Sequence, residues 1–195
     1  MDDKLLKTPN PESSLAGQLL IATPQVQGSC FDRSVIYMCA HNKEGAMGVI
    51  INYPVATVQL EEILEQLNIE SDVAMPDVPI HFGGPVESYR GFVIHSSDHA
   101  PQEAIFSQDG IVVSASMNIL QKIAEGAGPR KGLLMLGYAG WSPGQLESEI
   151  ETGSWITIPA SRKLVFDTEN DAKWNVAIAS LGFDMGHFSS QVGHA

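Results

Sequence analysis

The residues that could carry out chemistry stand singly at the ends of apolar runs. His41 follows the run from Val35 to Ala40, and His95 ends a run that begins at Gly91. A histidine at a strand end can act as a general base or donate a ligand nitrogen. A hydrogen-bonded structural histidine is the alternative at both positions.

The segment from His95 to His99 comes nearest to a metal-binding pattern. His95, Asp98 and His99 would share one face of a helix, but the residues before His95 are typical of a strand that leads into a loop. Cys30 and Cys39 match no zinc or redox spacing. We therefore expect no metal and no cofactor.

Two other segments could hold an anion. The fork of the Arg33 guanidinium could bind a carboxylate or phosphate, although a structural salt bridge is at least as expected in an acidic chain. Gly83 and Gly84, ahead of Pro85, could direct backbone N–H groups toward a ligand as an anion nest. A structural turn is the favoured interpretation of this Gly-Gly-Pro segment.

Two aromatic residues, Tyr138 and Trp141, bracket a glycine-containing segment that the pattern predicts to be a loop. Aromatic rings above a helix N-terminus suit a stacking surface for a small molecule. Packing of Trp141 in the core is the alternative.

These segments together define a candidate ligand-binding surface. We expect it to combine polar, glycine and aromatic residues that only the fold could bring together: Arg33, His41, Asn52, Gly83, Gly84, His95, Tyr138 and Trp141. The alternative is that each residue satisfies its own local turn, cap or salt bridge.

The charge balance excludes one large class of function. The chain of 195 residues has 11 Lys and Arg against 23 Asp and Glu, a net charge of −12. Because nucleic-acid binders neutralise phosphates with clustered basic residues, we expect no direct contact with nucleic acid and none with an anionic membrane. An unknown small molecule, or a neutral or basic protein, is the expected partner. The acidic start, Met1-Asp2-Asp3, indicates a cytoplasmic location.

The hydrophobic pattern predicts an α+β fold with a mixed sheet. Residues 1–14 are rich in breakers and polar groups and are expected to form a flexible N-terminal tail before a single domain over 15–195. Four helices are predicted, with N-terminal caps at Thr57, Ser116, Ser142 (with Pro143 first in the helix) and Asn170. Strands are predicted over 18–22, 35–40, 47–52, 80–82, 91–95, 111–114, 133–138, 155–158 and 164–166.

No common catalytic motif is present: the sequence lacks a nucleophile elbow, a phosphate loop, a dinucleotide fingerprint and a His-Glu-x-x-His segment. Several other segments occur together and in a fixed order. They are Gly17-Gln-Leu-Leu-Ile-Ala22, Phe31-Asp-Arg-Ser-Val35, His41-Asn-Lys-Glu-Gly-Ala-Met-Gly48, Ile51-Asn52, Phe82-Gly-Gly-Pro-Val86, Arg90-Gly-Phe-Val-Ile-His95, and Leu136-Gly-Tyr-Ala-Gly-Trp141 with Gly144-Gln-Leu-Glu-Ser-Glu-Ile150 and Ser154-Trp155.

In this combination the chain resembles the AlgH family of bacterial proteins, from about Leu15 to its last residue. The resemblance implies an α+β domain whose bifurcated sheet folds into a pseudo-barrel with about four flanking helices. It implies no established reaction, and transcriptional regulator is the label usually attached to the family. The family usually has Asp-Pro where this chain has Gly28-Ser29, and we interpret that site as a turn rather than a catalytic position.

The sequence therefore predicts a non-enzymatic regulatory or ligand-binding protein. An enzyme that uses His41 or His95 as a general base is the first alternative, and a regulator that contacts DNA directly is the second.

Overall fold

The computed structural model describes residues 14–71, 78–99 and 104–182. The predicted flexible tail therefore lies outside the described residues, apart from Ser14. The Ser14 hydroxyl donates a hydrogen bond to the backbone oxygen of His41. No helix among the described residues is long and apolar enough to cross a membrane.

The described residues form nine strands and four α-helices. The strands are β1 (Gln18–Ala22), β2 (Val35–Asn42), β3 (Gly45–Ile50), β4 (Ile80–Phe82), β5 (Val86–Ser96), β6 (Ala104–Gln108), β7 (Ile111–Ser114), β8 (Gly132–Trp141) and β9 (Trp155–Pro159). The helices are α1 (Leu60–Gln66), α2 (Met117–Ala124), α3 (Gln145–Glu151) and α4 (Asn170–Ala179), with a 3-10 turn at Pro24–Val26 and a π-helical turn at Lys163–Asp167.

The sheet forks at its long central strand, β8. Strand order is β6-β7-β5-β8-β3-β2-β1-β9, and every pair on this path is antiparallel. Strand β5 pairs with one edge of β8, from His95 opposite Gly132 to Val86 opposite Tyr138. On the other edge β4 pairs in parallel with Leu134–Leu136, and β3 pairs with Ala139–Trp141. The α+β fold with a mixed, bifurcated sheet is confirmed.

At the fork, backbones approach each other too closely for side chains. A Cβ on Gly83 would overlap the carbonyl oxygen of Gly137, and a Cβ on Gly84 would overlap the backbone of Tyr138. Gly137 itself has φ +75°, and a Cβ there would overlap the carbonyl oxygen of Gly84. Glycine is the residue that tolerates both the positive φ and the contact.

Apolar side chains pack on both faces of the sheet. The inner face forms the main core, which includes Tyr37, Phe92, Met135, Val165 and Trp174. On the outer face, α3 covers a second cluster that contains Trp141, Leu146 and Trp155. Helices α1 and α2 cover a third cluster around Ile80 and Leu134.

One predicted strand is wrong and one strand was missed. Residues 164–166 lie in the π-helical turn, with Leu164 and Val165 buried. A short buried apolar run does not distinguish a strand from a helical turn. Strand β6 was missed because its residues are only half-buried or exposed, so its hydrophobic pattern is weak.

The helix starts also differ in detail. Gln59 rather than Thr57 is the N-cap of α1, with its backbone N–H facing Glu62, and Glu169 rather than Asn170 is the N-cap of α4. Ser116 precedes α2 as predicted, but its hydroxyl makes no hydrogen bond to the helix.

Helix α3 begins at Gln145, two residues later than the predicted start at Pro143, because Gly144 is in the left-handed region. The Gln145 side chain still accepts the Ser142 backbone N–H, as in the predicted capping box.

The fork predicts an unequal response to two glycine substitutions. Gly137 and Gly144 have nearly the same φ, +75° and +76°, but a Cβ on Gly144 would meet nothing within 4 Å. Gly144→Ala should lower the free energy of unfolding by about 1–2 kcal/mol through backbone strain alone. Gly137→Ala should lose a further 1–3 kcal/mol, roughly, through overpacking. Urea unfolding of both variants measures the difference, and equal losses would contradict the role of the close approach.

Candidate functional site

The strand register separates the sequence-predicted site residues. His95 pairs with Gly132 at the first residue of β8, whereas Trp141 is its last residue. Nine residues of strand correspond to about 30 Å. His41 lies beside Trp141, because both pair across Ala46 of β3. His95 therefore shares no surface with His41 and Trp141, and the expected convergence on one surface is not what the structure shows.

His41 lies within β2, not beyond its end, and is 8% exposed. Its Nδ1 accepts the backbone N–H of Leu15 at 3.0 Å, so the ring proton is on Nε2, which donates to Glu147 at 2.9 Å. Hydrogen bonds from the Glu147 backbone N–H and from His41 hold the pKa of Glu147 below its ordinary value. The basic lone pair of His41 is thus already used inside the protein.

Trp141 anchors the same helix. Its indole N–H donates to Oε2 of Glu149 at 2.9 Å, and the indole N–H of Trp155 donates to the same oxygen at 2.7 Å. Gln145 donates to the other oxygen of Glu149. Tyr138 and Trp141 both lie within β8, so the loop predicted between them is wrong. Two carboxylates of α3 therefore fasten it to the sheet through ring N–H groups.

His95 is fully buried inside β5. Its Nδ1 faces the backbone oxygen of Ser96 at 3.0 Å and carries the proton, so Nε2 accepts the hydroxyl of Ser114 at 2.9 Å. Burial lowers the pKa of His95, which keeps the ring neutral. Neither ring nitrogen is directed toward solvent.

Arg33 and Asn52 meet near α4. The Asn52 side chain accepts the Val35 N–H and donates to the Arg33 backbone oxygen, so it fixes the start of β2. Arg33 has φ +55°, and its exposed guanidinium lies 5.4 Å from the centre of the Trp174 ring. Among the residues that the structure describes, Arg33 makes this cation–π contact rather than a salt bridge.

Gly83, Gly84 and Tyr138 lie at the fork of the sheet. The Gly83 N–H donates to the Leu136 oxygen, and its own oxygen accepts the Ile50 N–H, so this residue is part of the sheet. The Tyr138 ring packs edge-on against Phe92 at 6.0 Å. Whether any of the eight predicted residues binds a ligand remains a prediction.

A buried polar cluster at α4 escaped the sequence analysis. Lys173 is 2% exposed, and its Nζ donates to the Ile51 backbone oxygen at 2.7 Å and to Oδ1 of Asn170 at 2.8 Å. Nε2 of the fully buried His81 donates to the same Asn170 oxygen at 3.0 Å. Burial lowers the pKa of Lys173 to about 8, against the attraction of Glu169, and burial also lowers the pKa of His81.

The sequence held one signal for this cluster. Lys173 lies four residues before Ala177 and next to Trp174, so it falls on the apolar stripe of α4. A lysine on such a stripe indicates a buried cation that needs acceptors. The acceptors, Ile51 and Asn170, come from different parts of the chain.

A cleft lies beside α1 in the described part of the molecule. It has a volume of about 390 Å³, within the range of small-molecule sites. We call it the α1 cleft, defined by its lining: Pro54, Val55, Ala56, Val58, Gln59, Leu60, Glu61, Val78, Pro79 and Ile80. None of the eight sequence-predicted residues is in this set, because the Pro, Val, Ala, Leu and Ile residues that make up most of it form no distinctive motif.

Metal ligands do not cluster in the described residues: no group of three His, Cys, Asp or Glu side chains there could hold an ion. Asp98, the acidic member of the His95–His99 segment, is bonded to the Ser96 hydroxyl and to the Arg130 backbone N–H.

Comparison with known proteins identifies relatives across almost the whole chain. A family model described as AlgH-like matches residues 19–186. A UPF0301 protein from Afipia carboxidovorans is 48% identical over 93% of this chain and 90% of the relative. A second one, from Jannaschia sp., is 45% identical over 96% of this chain and 98% of the relative.

Solved structures show the same fold. The solution structure of the AlgH protein from Pseudomonas aeruginosa matches with a TM-score of 0.74 and 38% identity, over 97% of this chain and all of that one. A crystal structure of a Corynebacterium diphtheriae protein matches with a TM-score of 0.68 and 20% identity, over 91% and 92% of the two chains. The resemblance seen in the sequence is confirmed.

The buried lysine predicts a pH-dependent stability. Between pH 8 and the ordinary lysine pKa of about 10.4, the unfolded chain binds more protons at Lys173 than the folded one, so this residue makes stability rise with pH. Relative to Lys173→Met, the wild type should gain about 1–2 kcal/mol between pH 8 and 9.5.

Chemical denaturation across this pH range measures that gain. Lys122→Met, at a half-exposed position on α2, is the control and should track the wild type. A flat difference between wild type and Lys173→Met would show that Lys173 is not a depressed, buried amine. Other titrating groups cancel, because both proteins contain them.

The carboxylate that anchors α3 predicts a second effect. In Glu149→Gln, an amide N–H₂ would face the indole donors or the Gln145 amide, leaving at least one donor without an acceptor. We expect a loss of about 2 kcal/mol in the free energy of unfolding. Glu151→Gln, exposed at the end of the same helix, should change it by less than about 0.5 kcal/mol. Thermal unfolding followed by tryptophan fluorescence separates the two outcomes.

Proposed function

This chain belongs to the AlgH-like family, and we propose that it is a non-enzymatic regulatory protein that acts by binding a ligand in the α1 cleft. The observation that carries the proposal is the cleft itself. Eight of its ten lining residues are apolar in type, and Val55, Val58 and Val78 are half-buried, while most of the surface that the cleft exposes is polar; a ligand would therefore contact both apolar side chains and polar groups. The volume of the cleft, about 390 Å³, is within the range of sites that bind small molecules.

The state of the two candidate bases supports binding over catalysis. A general base needs a free lone pair within reach of the substrate. Nδ1 of His41 already accepts the Leu15 N–H, and Nε2 of His95 accepts the Ser114 hydroxyl in a buried position. An enzyme that used either residue would first have to break one of these hydrogen bonds.

The same proposal accommodates a regulator that does not touch DNA. With a net charge of −12, the chain is repelled by phosphate backbones. Regulation would then pass through a bound small molecule or a protein partner. We place this role in the cytoplasm, where Cys30 and Cys39, both free thiols, would stay reduced.

Nile red, a neutral apolar dye, tests whether the cleft binds ligands. We expect its fluorescence to rise and shift to the blue with wild-type protein, because the dye leaves water for contact with the apolar side chains of the cleft. Ala56→Trp fills the cleft from an exposed position and should abolish the signal.

Two variants serve as controls. Ala179→Trp adds the same indole at the exposed end of α4, and His41→Gln removes a candidate base; both should bind the dye like the wild type. Equal dye binding by Ala56→Trp and wild type would rule out the cleft as the binding site.

A further inference from the structure

The α1 cleft lies in the most acidic part of the chain. Between Lys43 and Arg90 the sequence contains eight Asp or Glu residues and no Lys or Arg. This segment supplies most of the net charge of −12 and includes every residue that lines the cleft. The net negative charge of this segment favours a cationic ligand over an anionic one.

Carboxylates stand at the edge of the apolar lining. Glu61 lines the cleft, and Glu65 follows one turn later on the same side of α1. Both side chains are exposed, and α1 carries no basic residue in its last turn. Exposed carboxylates beside the apolar side chains of Val55 and Val58 suit a cation that is attached to an apolar group.

The backbone at the margins favours recognition through side chains. Pro54 and Pro79 have no N–H to offer, and the Val55 N–H already donates to the Ile80 oxygen. An added strand would therefore lack donors at these positions. Affinity has to come from apolar side chains entering the cleft and from charge at its edge.

From these observations we propose that the occupant of the α1 cleft is a basic segment of a partner protein, with apolar side chains flanked by Lys or Arg. This inference rests on the proposed function and specifies its ligand. The apolar side chains contact Val55, Val58 and Val78, and the cations lie near Glu61 and Glu65. The acidic field accelerates association with such a segment and disfavours acidic competitors.

Fluorescence anisotropy with three short labelled peptides tests the inference. Each peptide has the same two leucines, flanked by arginine, glutamine or glutamate. The arginine peptide should bind at least about tenfold more tightly than the glutamine peptide at 50 mM salt, and the glutamate peptide should not bind. Raising the salt to 500 mM should weaken arginine-peptide binding by about tenfold through screening.

Matched charge variants locate the effect. Glu61→Gln with Glu65→Gln should weaken arginine-peptide binding by about tenfold, because it removes two charges beside the cleft. Glu125→Gln with Glu151→Gln removes the same charge from exposed positions at the C-cap of α2 and the end of α3, and should change binding less than twofold. Equal effects of the two pairs would overturn the inference.

The outcomes separate this inference from the proposed function. If the glutamine peptide binds as tightly as the arginine peptide, and Ala56→Trp blocks both, the cleft binds ligands but the basic partner is wrong. If Ala56→Trp blocks neither peptide, the cleft is not the site and both proposals fail. If spermidine displaces the arginine peptide at equal or lower concentration, a small polyamine is the occupant and the protein segment is wrong.

Discussion

The whole arrangement depends on the contact of bare backbones at the fork of the sheet. Gly83 and Gly84 cross β8 at Gly137, where any Cβ would overlap a carbonyl group. This contact lets one edge of β8 change its partner from β4 to β3 within a few residues. As a result, the first half of β8 packs against α1 and α2 through Leu134, and its last residue, Trp141, packs against α3.

Side chains that the sequence suggested for a functional site instead hold α3 and the segment around Leu15 against this sheet. His41 joins Leu15 to Glu147, and Trp141 shares the Glu149 carboxylate with Trp155. Because α3 has only seven residues, it cannot be stable by itself and depends on these contacts. The same side chains that could serve a reaction are used to complete the fold.

Lys173 provides a further attachment, in which a cation is buried. Burial of a cation in an apolar core is unfavourable unless acceptors surround it, and here the Ile51 oxygen and Asn170 provide them. The lowered pKa of Lys173 shows that burial still disfavours its charged form. The arrangement ties the first turns of α4 to the end of β3 and, through Asn170, to β4.

Local pattern was enough to identify the fold class and most of the strands, because apolar residues in short runs bounded by Gly, Pro or Asn have few alternatives. Strands 18–22, 80–82 and 111–114 have the predicted bounds. The bifurcated sheet was expected only through the resemblance to the AlgH family. The site was different, because strand register decides which residues meet, and register is set by contacts between segments that are far apart in the chain. His41 and Trp141 both pair with Ala46 and so lie near each other. His95 pairs with Gly132, at the opposite end of β8 from Trp141. The cleft, the charge around it and the acceptors of Lys173 exist only after folding, because each joins side chains or carbonyls that local periodicity treats as unrelated.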